Sequence, residues 1–589
     1  MTEDSTSPRP DAGPATLDAT GALADLAQRY WDAQLEASPL TASLLGVHHY
    51  DDRIDDLSEA AEDTRRAQLE AFAAELRQID HHALDPAGRV TAALLGHQID
   101  AGIEAAVLRL AELASDHLDG PHAALLMIAP QLSYPDPSLA AKALVRYSQV
   151  PGFLGQALDR FRSGLLRGRT PAAAVIARSV NSLDGYLASD VDQDPFLSPQ
   201  LPSEWADDGD EASAWRAEAL ELVTTRIRPS FARYRNALRD ELGAVARSDE
   251  HAGWSWLPDG DRLYSALVRS HTTVELSPAE IHELGRRLCE VDLPAEFVSI
   301  GATVFGDGSD GAAMDLAAVF DRLRQDPSLR HRDADEVVEI AERSVQRATE
   351  AASAWFGRLP GAGCEVAPIP DFLAADAPYA YYFPPAIDGS RPGTYFINTA
   401  DPEGASRTEA ESIAFHEAIP GHHLQITISQ EIDDLPEFQR HDGTTSYVEG
   451  WGLYAERLAD EMGLYSGELD RLGMVTADAW RSARLVVDTG LHALGWSRQQ
   501  AIDYFVEHTP VPIDQIAPEV DRYLAIPGQA LSYKIGQHEI QRLRAHATDA
   551  LGDRFDVAGF HDVVLGSGAM TLPVLARIVD AWIEERSAA

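Results

Sequence analysis

The 589-residue sequence has only two cysteines, Cys289 and Cys364, and only two lysines, Lys142 and Lys534. Two cysteines in a chain of this length exclude a disulfide framework, and neither has a metal-type partner nearby. We therefore interpret both as neutral thiols. Because arginine supplies every other basic residue, the scarcity of lysine indicates a general preference for arginine in this protein.

Positive charge is scarce as well, since 48 basic residues face 94 acidic ones and the net charge is −46. Such a surface repels phosphate groups and anionic lipid, so we expect no nucleic-acid partner and no membrane partner. No run of 18 apolar residues occurs. The first 21 residues lack the apolar segment of a secretory signal. We expect a cytoplasmic protein that is a monomer or a homodimer.

Helical periodicity is what the sequence has in abundance. Apolar residues recur at steps of three to five from about residue 21 onward, and clearly so over 59–80, 88–115, 138–166, 211–245 and 333–356. The pairs Ser277/Glu280 and Ser497/Gln500 have the spacing of capping boxes at helix starts. We predict a mainly α protein with a disordered segment over 1–20, a helical part over 21–360 and a catalytic part over 361–589. The two parts are expected to form one continuous structural unit.

One region departs from the helical pattern. Residues 379–401 are aromatic, β-branched and interrupted by proline and glycine, and within them GTYFINT (393–399) is typical of a strand. We predict a small sheet or hairpin near 379–400. It ends shortly before a cluster of histidines, so the expected order is a strand, a short connection and a helix that carries the cluster.

The cluster reads FHEAIPGHHLQ over residues 415–425. It begins like a zinc-protease motif, in which two histidines four residues apart bind the metal and a glutamate acts as base. Here the second histidine is His422 or His423, six or seven residues after His416. On a straight helix the first lies about 120° off the face and the second about 10 Å further along, so neither can share one ion with His416.

Pro420 and Gly421 allow the backbone to depart from a straight helix between the histidines. Proline removes a backbone donor, and glycine permits unusual dihedral angles, so a bulge or break across Ala418–Gly421 can bring His422 beside His416. We predict His422 as the ligand, with His423 contacting the substrate or a ligand. The alternative is that the histidines are ordinary surface residues at a helix end.

A carboxylate further along the chain can complete the site. Glu449 begins a helix in YVEGWGLYAERLADEMG (447–463), and Gly450 and Gly452 would allow another backbone to approach closely. Glu456 lies on the same face and can orient a ligand histidine. The simpler interpretation of Glu449 is an exposed glutamate favoured by the helix dipole.

Two later segments carry further candidates. Asp488 and His492 are four residues apart and share a helix face, while Tyr533 and Lys534 lie in PGQALSYKIG (527–536). Tyr533 or His492 could stabilise an oxyanion. Arg484, Arg522 and Lys534 could hold a substrate carboxylate. Core packing or salt bridges are the simpler interpretation of each.

Taken together, several segments resemble the bacterial family labelled domain of unknown function 885. They are ESIAFHEAIPGHHLQ, YVEGWGLYAERLADEMGLY, RLVVDTGLHALGWS and PGQALSYKIG, with matching N-terminal segments over 37–58 and 261–285. The family is similar to glutamate-type zinc metallopeptidases of the thermolysin-like superfamily, or gluzincins. The resemblance implies a mostly helical fold around a deep cleft.

The resemblance also implies roles for individual residues. His416, one of His422 and His423, and Glu449 would surround one zinc ion, with Glu417 as the base and Tyr533 as an oxyanion donor. The strand that contains Tyr395 would be the edge strand on which an extended substrate lies. The predicted function is a zinc-dependent hydrolase of short peptides, with carboxypeptidase-like or other exopeptidase activity as one form. The alternatives are a metal-dependent hydrolase of a non-peptide amide or metabolite conjugate, and a non-catalytic binding protein with a degenerate motif.

Overall fold

The computed structural model describes residues 18–205, 209–306, 314–369, 378–385, 392–441 and 443–588. Within them the chain is mainly helical, as predicted, with one small sheet. Residues 1–17 of the segment predicted to be disordered lie outside the described residues. The rest of that prediction was wrong, because the first helix already begins at Ala19. The Asp18 carboxylate accepts a hydrogen bond from the Gly21 N–H (2.8 Å) and so caps this helix.

Fifteen helices precede the sheet in the described part of the chain. They are α1 (Ala19–Ala37), α2 (Pro39–Leu44), α3 (Glu59–Leu76), α4 (Pro86–Leu108), α5 (Pro121–Ile128), α6 (Pro137–Tyr147), α7 (Val150–Leu166), α8 (Ala173–Ala188), α9 (Asp210–Leu222), α10 (Arg228–Ala237), α11 (Gly260–Thr272), α12 (Pro278–Arg287), α13 (Leu293–Phe305), α14 (Leu316–Gln325) and α15 (Ala334–Ala352). The capping box predicted at Ser277 and Glu280 is confirmed at the start of α12.

Ten described helices follow the sheet and carry the candidate site. They are α16 (Ala410–Glu417), α17 (His422–Gln430), α18 (Glu437–Arg440), α19 (Thr445–Glu461), α20 (Glu468–His492), α21 (Arg498–His508), α22 (Ile513–Ala525), α23 (Leu531–Leu551), α24 (Val557–Leu565) and α25 (Leu572–Ala588). The second predicted capping box, Ser497 with Gln500, is confirmed at the start of α21.

The sheet has three strands, β1 (Cys364–Pro368), β2 (Ala380–Phe383) and β3 (Gly393–Ile397), in the order β1-β3-β2. β3 pairs with β1 in parallel and with β2 antiparallel, so Tyr395 has Val366 on one side and Tyr382 on the other. The hairpin predicted near 379–400 is confirmed. The prediction that 393–399 forms an edge strand was wrong, because β1, which has no alternating pattern of its own, covers the second side of β3.

Hydrophobic side chains from both predicted parts share one core. Val90, Tyr264 and Ile281 of the first part pack in the same cluster as Trp451 and Ile535 of the second. The division at residue 360 stays a prediction. The site helices lie inside this core, which holds their backbones in fixed relative positions.

Two glycines allow α19 and α23 to lie in contact. A Cβ atom at Gly450 would collide with the Cα of Gly536, and a Cβ at Gly536 would collide with the Ser446 carbonyl oxygen. The close backbone approach predicted for Gly450 is therefore present. It places the start of α23, which bears Tyr533, beside the first turns of α19, which bear Glu449.

Candidate metal centre

The histidine motif spans a break between two helices. α16 ends at Glu417 and α17 begins at His422, so the four residues Ala418–Gly421 form the break that their sequence predicts. Gly421 is required there, because a Cβ atom would collide with the carbonyl oxygens of Phe415 and His416. The indole N–H of the buried Trp451 donates to the Pro420 carbonyl oxygen (2.8 Å) and ties the break to α19.

The break brings His416, His422 and Glu449 together. One ligand-type atom from each lies within 4.8 Å of the other two. The Nε2 atoms of both histidines are each 3.5 Å from Oε2 of Glu449, and the two rings are edge to face with centroids 4.6 Å apart. Both histidines are buried, while the Glu449 side chain is 21% exposed, so the cluster is largely shielded from solvent.

Neighbouring groups hold the His416 ring in place. Its Nδ1 is 2.8 Å from Oε1 of Glu456, whose other oxygen accepts a hydrogen bond from the Ser412 hydroxyl (2.8 Å). The α-carbon of Gly452 faces the ring, and a Cβ there would be 2.7 Å from His416 Cε1. With Nδ1 held by a carboxylate, Nε2 is directed toward Glu449, which is how a ligand histidine is oriented in metal sites.

Charge is strongly coupled within the cluster. Burial opposes ionisation of Glu449, but the imidazole rings of His416 and His422, each 3.5 Å from its Oε2, outweigh it and hold the pKa of this carboxyl well below its usual range. Burial likewise opposes a charged His416, yet Glu449 and Glu456 raise the pKa of the ring to about 10. Two carboxylates therefore favour positive charge at this position, whether it comes from a proton or from a cation.

The two adjacent histidines point in different directions. His423 is buried against the sheet, where its Nδ1 lies 2.9 Å from the Tyr382 hydroxyl and its Nε2 lies 3.1 Å from the Ala362 carbonyl oxygen. Burial lowers its pKa to about 4 although the bond to Ala362 opposes this shift, so the ring is neutral at pH 7. Gly393 makes room for it, since a Cβ there would be 2.6 Å from His423 Nδ1.

Glu417 is the last residue of α16 and faces the sheet. It is half-buried, and among the described residues its carboxylate has no ion-pair or hydrogen-bond partner. Its charge adds to the effect of burial in raising the pKa of Cys364 and of Tyr395, which places it near the start of β1 and the middle of β3. An unpaired carboxyl group that follows His416 directly in the chain can serve as a proton acceptor for water.

Tyr533 lies on the other side of the cluster. Burial and the nearby Glu449 carboxylate raise the pKa of its hydroxyl, so it is a hydrogen-bond donor at neutral pH. The Arg484 guanidinium stacks on its ring, with Cζ 4.6 Å from the centroid. Arg484 and Arg522 both bind the Glu519 carboxylate, at 3.0 and 2.8 Å. Arg484 and Arg522 therefore carry one positive charge more than Glu519 neutralises, and the nearby Glu449 carboxylate offsets it.

Two other predicted site residues, His492 and Asp488, bind partners outside the cluster. His492 is fully buried with Nδ1 accepting from the Trp254 N–H (3.1 Å) and Nε2 donating to the Tyr523 carbonyl oxygen (3.1 Å). The Asp488 carboxylate accepts hydrogen bonds from the Tyr264 hydroxyl and the Gly528 N–H. The expected Asp488–His492 pairing is therefore replaced by tertiary partners, and His492 has no nitrogen left for an oxyanion.

Lys534 and Tyr395 are also committed to the interior. The Lys534 ammonium is buried between Asp478 and the Gln537 side-chain oxygen, so the salt-bridge interpretation describes its position and it has no direct access to substrate. Tyr395 is fully buried in the central strand, and its hydroxyl has no hydrogen-bond partner among the described residues.

Sequence reasoning missed three residues that shape the site. Ser412 lies four residues before His416 on the same helix face, a spacing that could have indicated it. Trp451 lies between the two glycines of α19, but its bond to Pro420 depends on tertiary contact. Tyr382 binds His423 across 41 residues, and no local pattern marks such a pairing.

A family model described as bacterial protein of unknown function (DUF885) matches residues 39–579. The chain belongs to this family. The match covers nearly the whole of the DUF885 protein, including every element around the histidine cluster. A comparison with curated proteins finds no match. Among the described residues of this DUF885 protein, no helix combines the length and apolar character needed to cross a bilayer.

Two solved structures are similar over almost the full chain. A "putative lipoprotein" from Colwellia psychrerythraea is 25% identical, with a TM-score of 0.88 over 97% of this chain and 100% of the other. A "putative lipoprotein of unknown function" from Shewanella oneidensis is 18% identical, with a TM-score of 0.73 over 94% of this chain and 99% of the other. The second likeness concerns the fold alone.

The donor set of the DUF885 protein fits a zinc ion. Two imidazoles and one carboxylate are a standard catalytic set, and ligands about 2.1 Å from a tetrahedral ion lie about 3.4 Å from one another. The two Nε2–Oε2 distances of 3.5 Å match this spacing, and they are long for hydrogen bonds. His416, His422 and Glu449 could therefore hold one zinc ion.

Proposed function

We propose that this protein is a zinc-dependent hydrolase that cleaves amide bonds of short peptides. The observation that carries the proposal is the convergence of His416, His422 and Glu449 at zinc-ligand spacing, with Glu417 following His416 directly in the chain. Zinc, when bound, supplies a Lewis acid and lowers the pKa of a coordinated water. The remaining steps are assigned to the protein's own side chains.

Glu417 is suited to act as the general base. Its unpaired carboxylate at the end of α16 can accept the proton of the attacking water and later deliver it to the leaving nitrogen. Tyr533 remains protonated near neutral pH and can donate its hydroxyl hydrogen to the carbonyl oxygen as negative charge develops there. Glu456 keeps the Nδ1 side of His416 occupied, so the ring cannot turn away.

The charge beside Tyr533 supports an exopeptidase that recognises a free carboxylate. In a protein of net charge −46, Arg484 and Arg522 share a single carboxylate, Glu519. A peptide's C-terminal carboxylate would bind at Arg522, whose side chain is 23% exposed against 8% for Arg484, since a guanidinium can bind a carboxylate with two hydrogen bonds. The cytoplasmic location stays a prediction.

The Glu417→Gln variant tests the proposal together with metal analysis. The wild-type protein, purified without chelator, should carry about one zinc per chain and release amines from a peptide library. Glu417→Gln should keep its zinc and lose turnover by at least about a hundredfold, because the amide cannot accept a proton. Glu403→Gln, an exposed site, is the matched control and should behave like wild type.

Three outcomes separate the alternatives. Absence of zinc from the wild type, unrestored by added zinc, would favour a non-catalytic binding protein. Bound zinc without cleavage of any peptide would favour a hydrolase of non-peptide amides. Loss of zinc from Glu417→Gln would mean that Glu417 is itself a ligand and that the assigned roles are wrong.

A further inference from the structure

A cavity of about 480 Å³ lies between the N-terminal helices α1, α4 and α11 and the segment that leads into α19. Its volume is within the range of about 300–1,000 Å³ that is usual for pockets that bind small molecules. Neither the sequence motifs nor the metal cluster assigns any role to it. Its position, the charge of its walls and its shape together indicate a role in binding.

None of the cluster residues lines the cavity, but two of the lining residues lie close to the cluster. Thr445 lines it at the first position of α19, and Glu449 follows one turn later on the same helix face. His271 lines it as well, and its carbonyl oxygen accepts a hydrogen bond from the Ser532 hydroxyl (3.0 Å), next to Tyr533. A substrate bound at the cluster could therefore extend into the cavity from the Glu449 and Tyr533 side.

No acidic side chain, lysine or arginine lines the cavity, although the lining residue His441 lies 3.3 Å from the Glu437 carboxylate. Charged residues make up 24% of the sequence, yet none of the sixteen described lining residues is Asp, Glu, Lys or Arg. Burial lowers the pKa of His271 to about 4, so this ring is neutral at pH 7. A smaller cavity next to it has charged walls, since its lining includes Asp100, Glu104, Glu275 and Arg269. Because burying an unpaired charge is costly, the larger cavity disfavours a charged group.

Aromatic rings form one wall. Trp31 is half-buried and stacks on His441, with ring centroids 5.7 Å apart and an interplanar angle of 12°. Phe438 packs edge to face against Tyr30, with centroids 5.9 Å apart. Tyr30 and Phe438 are buried, so the partly exposed rings of Trp31 and His441 are the ones in this wall that can contact another aromatic ring. The hydroxyl groups of Ser38 and Thr41 lie among the same lining residues.

We propose that this cavity holds a bulky, uncharged aromatic group of the substrate, next to the bond that is cleaved. The inference rests on the proposed function for its place in catalysis, but binding of an aromatic amide can be measured without any turnover. It assigns a substrate class, namely peptides or amides with an aromatic side chain or acyl group, as opposed to those with a lysine or aspartate side chain at that position.

The first test is calorimetric titration of the full-length protein with N-acetyl-phenylalaninamide and N-acetyl-lysinamide. The wild type should bind the aromatic amide at least about tenfold more tightly, since the lysine ammonium would be buried without a partner. Gln98→Trp, which fills the cavity from α4, should weaken binding of the aromatic amide by at least about tenfold.

Ala105→Trp is the matched control. It introduces the same side chain two turns further along α4, where Ala105 lines the acidic neighbouring cavity and not this one, and it should bind like wild type.

Trp31→Ala is a second variant that removes the stacking wall without filling any space. It should also weaken binding of the aromatic amide while zinc content and melting temperature stay close to those of the wild type.

Failure of this inference and failure of the proposed function give different results. Equal affinity for the two amides, or no binding of either, overturns the inference even if peptides are cleaved. Unchanged binding by Gln98→Trp overturns it as well. Selective binding of the aromatic amide by a protein that cleaves no peptide would support the cavity assignment and reject the peptidase.

Discussion

Replacing Gly452 by alanine places a methyl group against the candidate ligand His416. The added Cβ would lie 2.7 Å from Cε1 and 2.8 Å from Nε2 of the ring, whereas ordinary contact begins at 3.4 Å. The ring must therefore move by about 3.4 − 2.7 = 0.7 Å, or α19 must move away from α16 by as much. Metal–ligand distances tolerate deviations of only about 0.2 Å.

The expected consequence is a selective loss of zinc affinity. A shift more than three times the tolerated deviation should weaken zinc binding by about 10–100-fold, comparable to the loss of a group that orients a ligand. That corresponds to about 1.4–2.8 kcal/mol. Helix propensity acts in the opposite direction, because alanine stabilises a helix interior by about 0.5–1 kcal/mol relative to glycine. Stability of the metal-free protein should therefore change little.

The measurement is competition for zinc against a chromogenic chelator at fixed pH, with thermal unfolding of the metal-free protein alongside. Gly185→Ala is the matched control, because this glycine lies in helix α8 and a Cβ there meets no atom within 4 Å. It should bind zinc like wild type. If Gly452→Ala held zinc within about threefold of wild type, His416 would not be the ligand that the geometry indicates.

Two other predictions concern buried charge. Burial raises the pKa of Asp488 to about 7, although the hydrogen bond from Tyr264 opposes this shift. The stability that the protonated Asp488 contributes is therefore fully present below about pH 4 and is lost as the pH rises through 7. The free energy of unfolding in urea should therefore fall less between pH 5 and pH 8 for Asp488→Asn than for the wild type, with a difference of up to about 2.5 kcal/mol. An equal fall in the two proteins would contradict a buried neutral carboxyl group. Lys534→Met should lower the free energy of unfolding by about 3 kcal/mol, because Asp478 loses one of its buried cations, while kcat per folded molecule stays unchanged. The control is Lys142→Met, at the only other lysine, which should change the free energy of unfolding by less than about 0.5 kcal/mol. A large fall in kcat for Lys534→Met would instead indicate that Lys534 contacts the substrate.

Much of the local structure could be predicted from the sequence because its causes are local. Capping boxes such as Ser277 with Glu280 satisfy backbone donors within one turn, and apolar periodicity marks the buried face of each helix. The break at Ala418–Gly421 follows from the same kind of reasoning, since proline and glycine act on the dihedral angles of their own segment.

Contacts between distant segments decided the rest. Whether His422 or His423 turns toward Glu449 depends on where the sheet and α19 lie, and Tyr382 and Ala362 bind His423 from positions 41 and 61 residues away. The place of β3 at the centre of the sheet depends on β1 in the same way.

Residue types in the motif therefore determined which groups could bind a metal, and the local break determined that they could meet. Which of the other candidates reach the cluster was decided only by tertiary packing, because a buried polar group takes whichever partner the fold brings to it. His492 is held by the backbone of Trp254 and Tyr523, and Lys534 by Asp478. Tyr533 alone of these three lies beside Glu449, where the close approach of α19 and α23 places it.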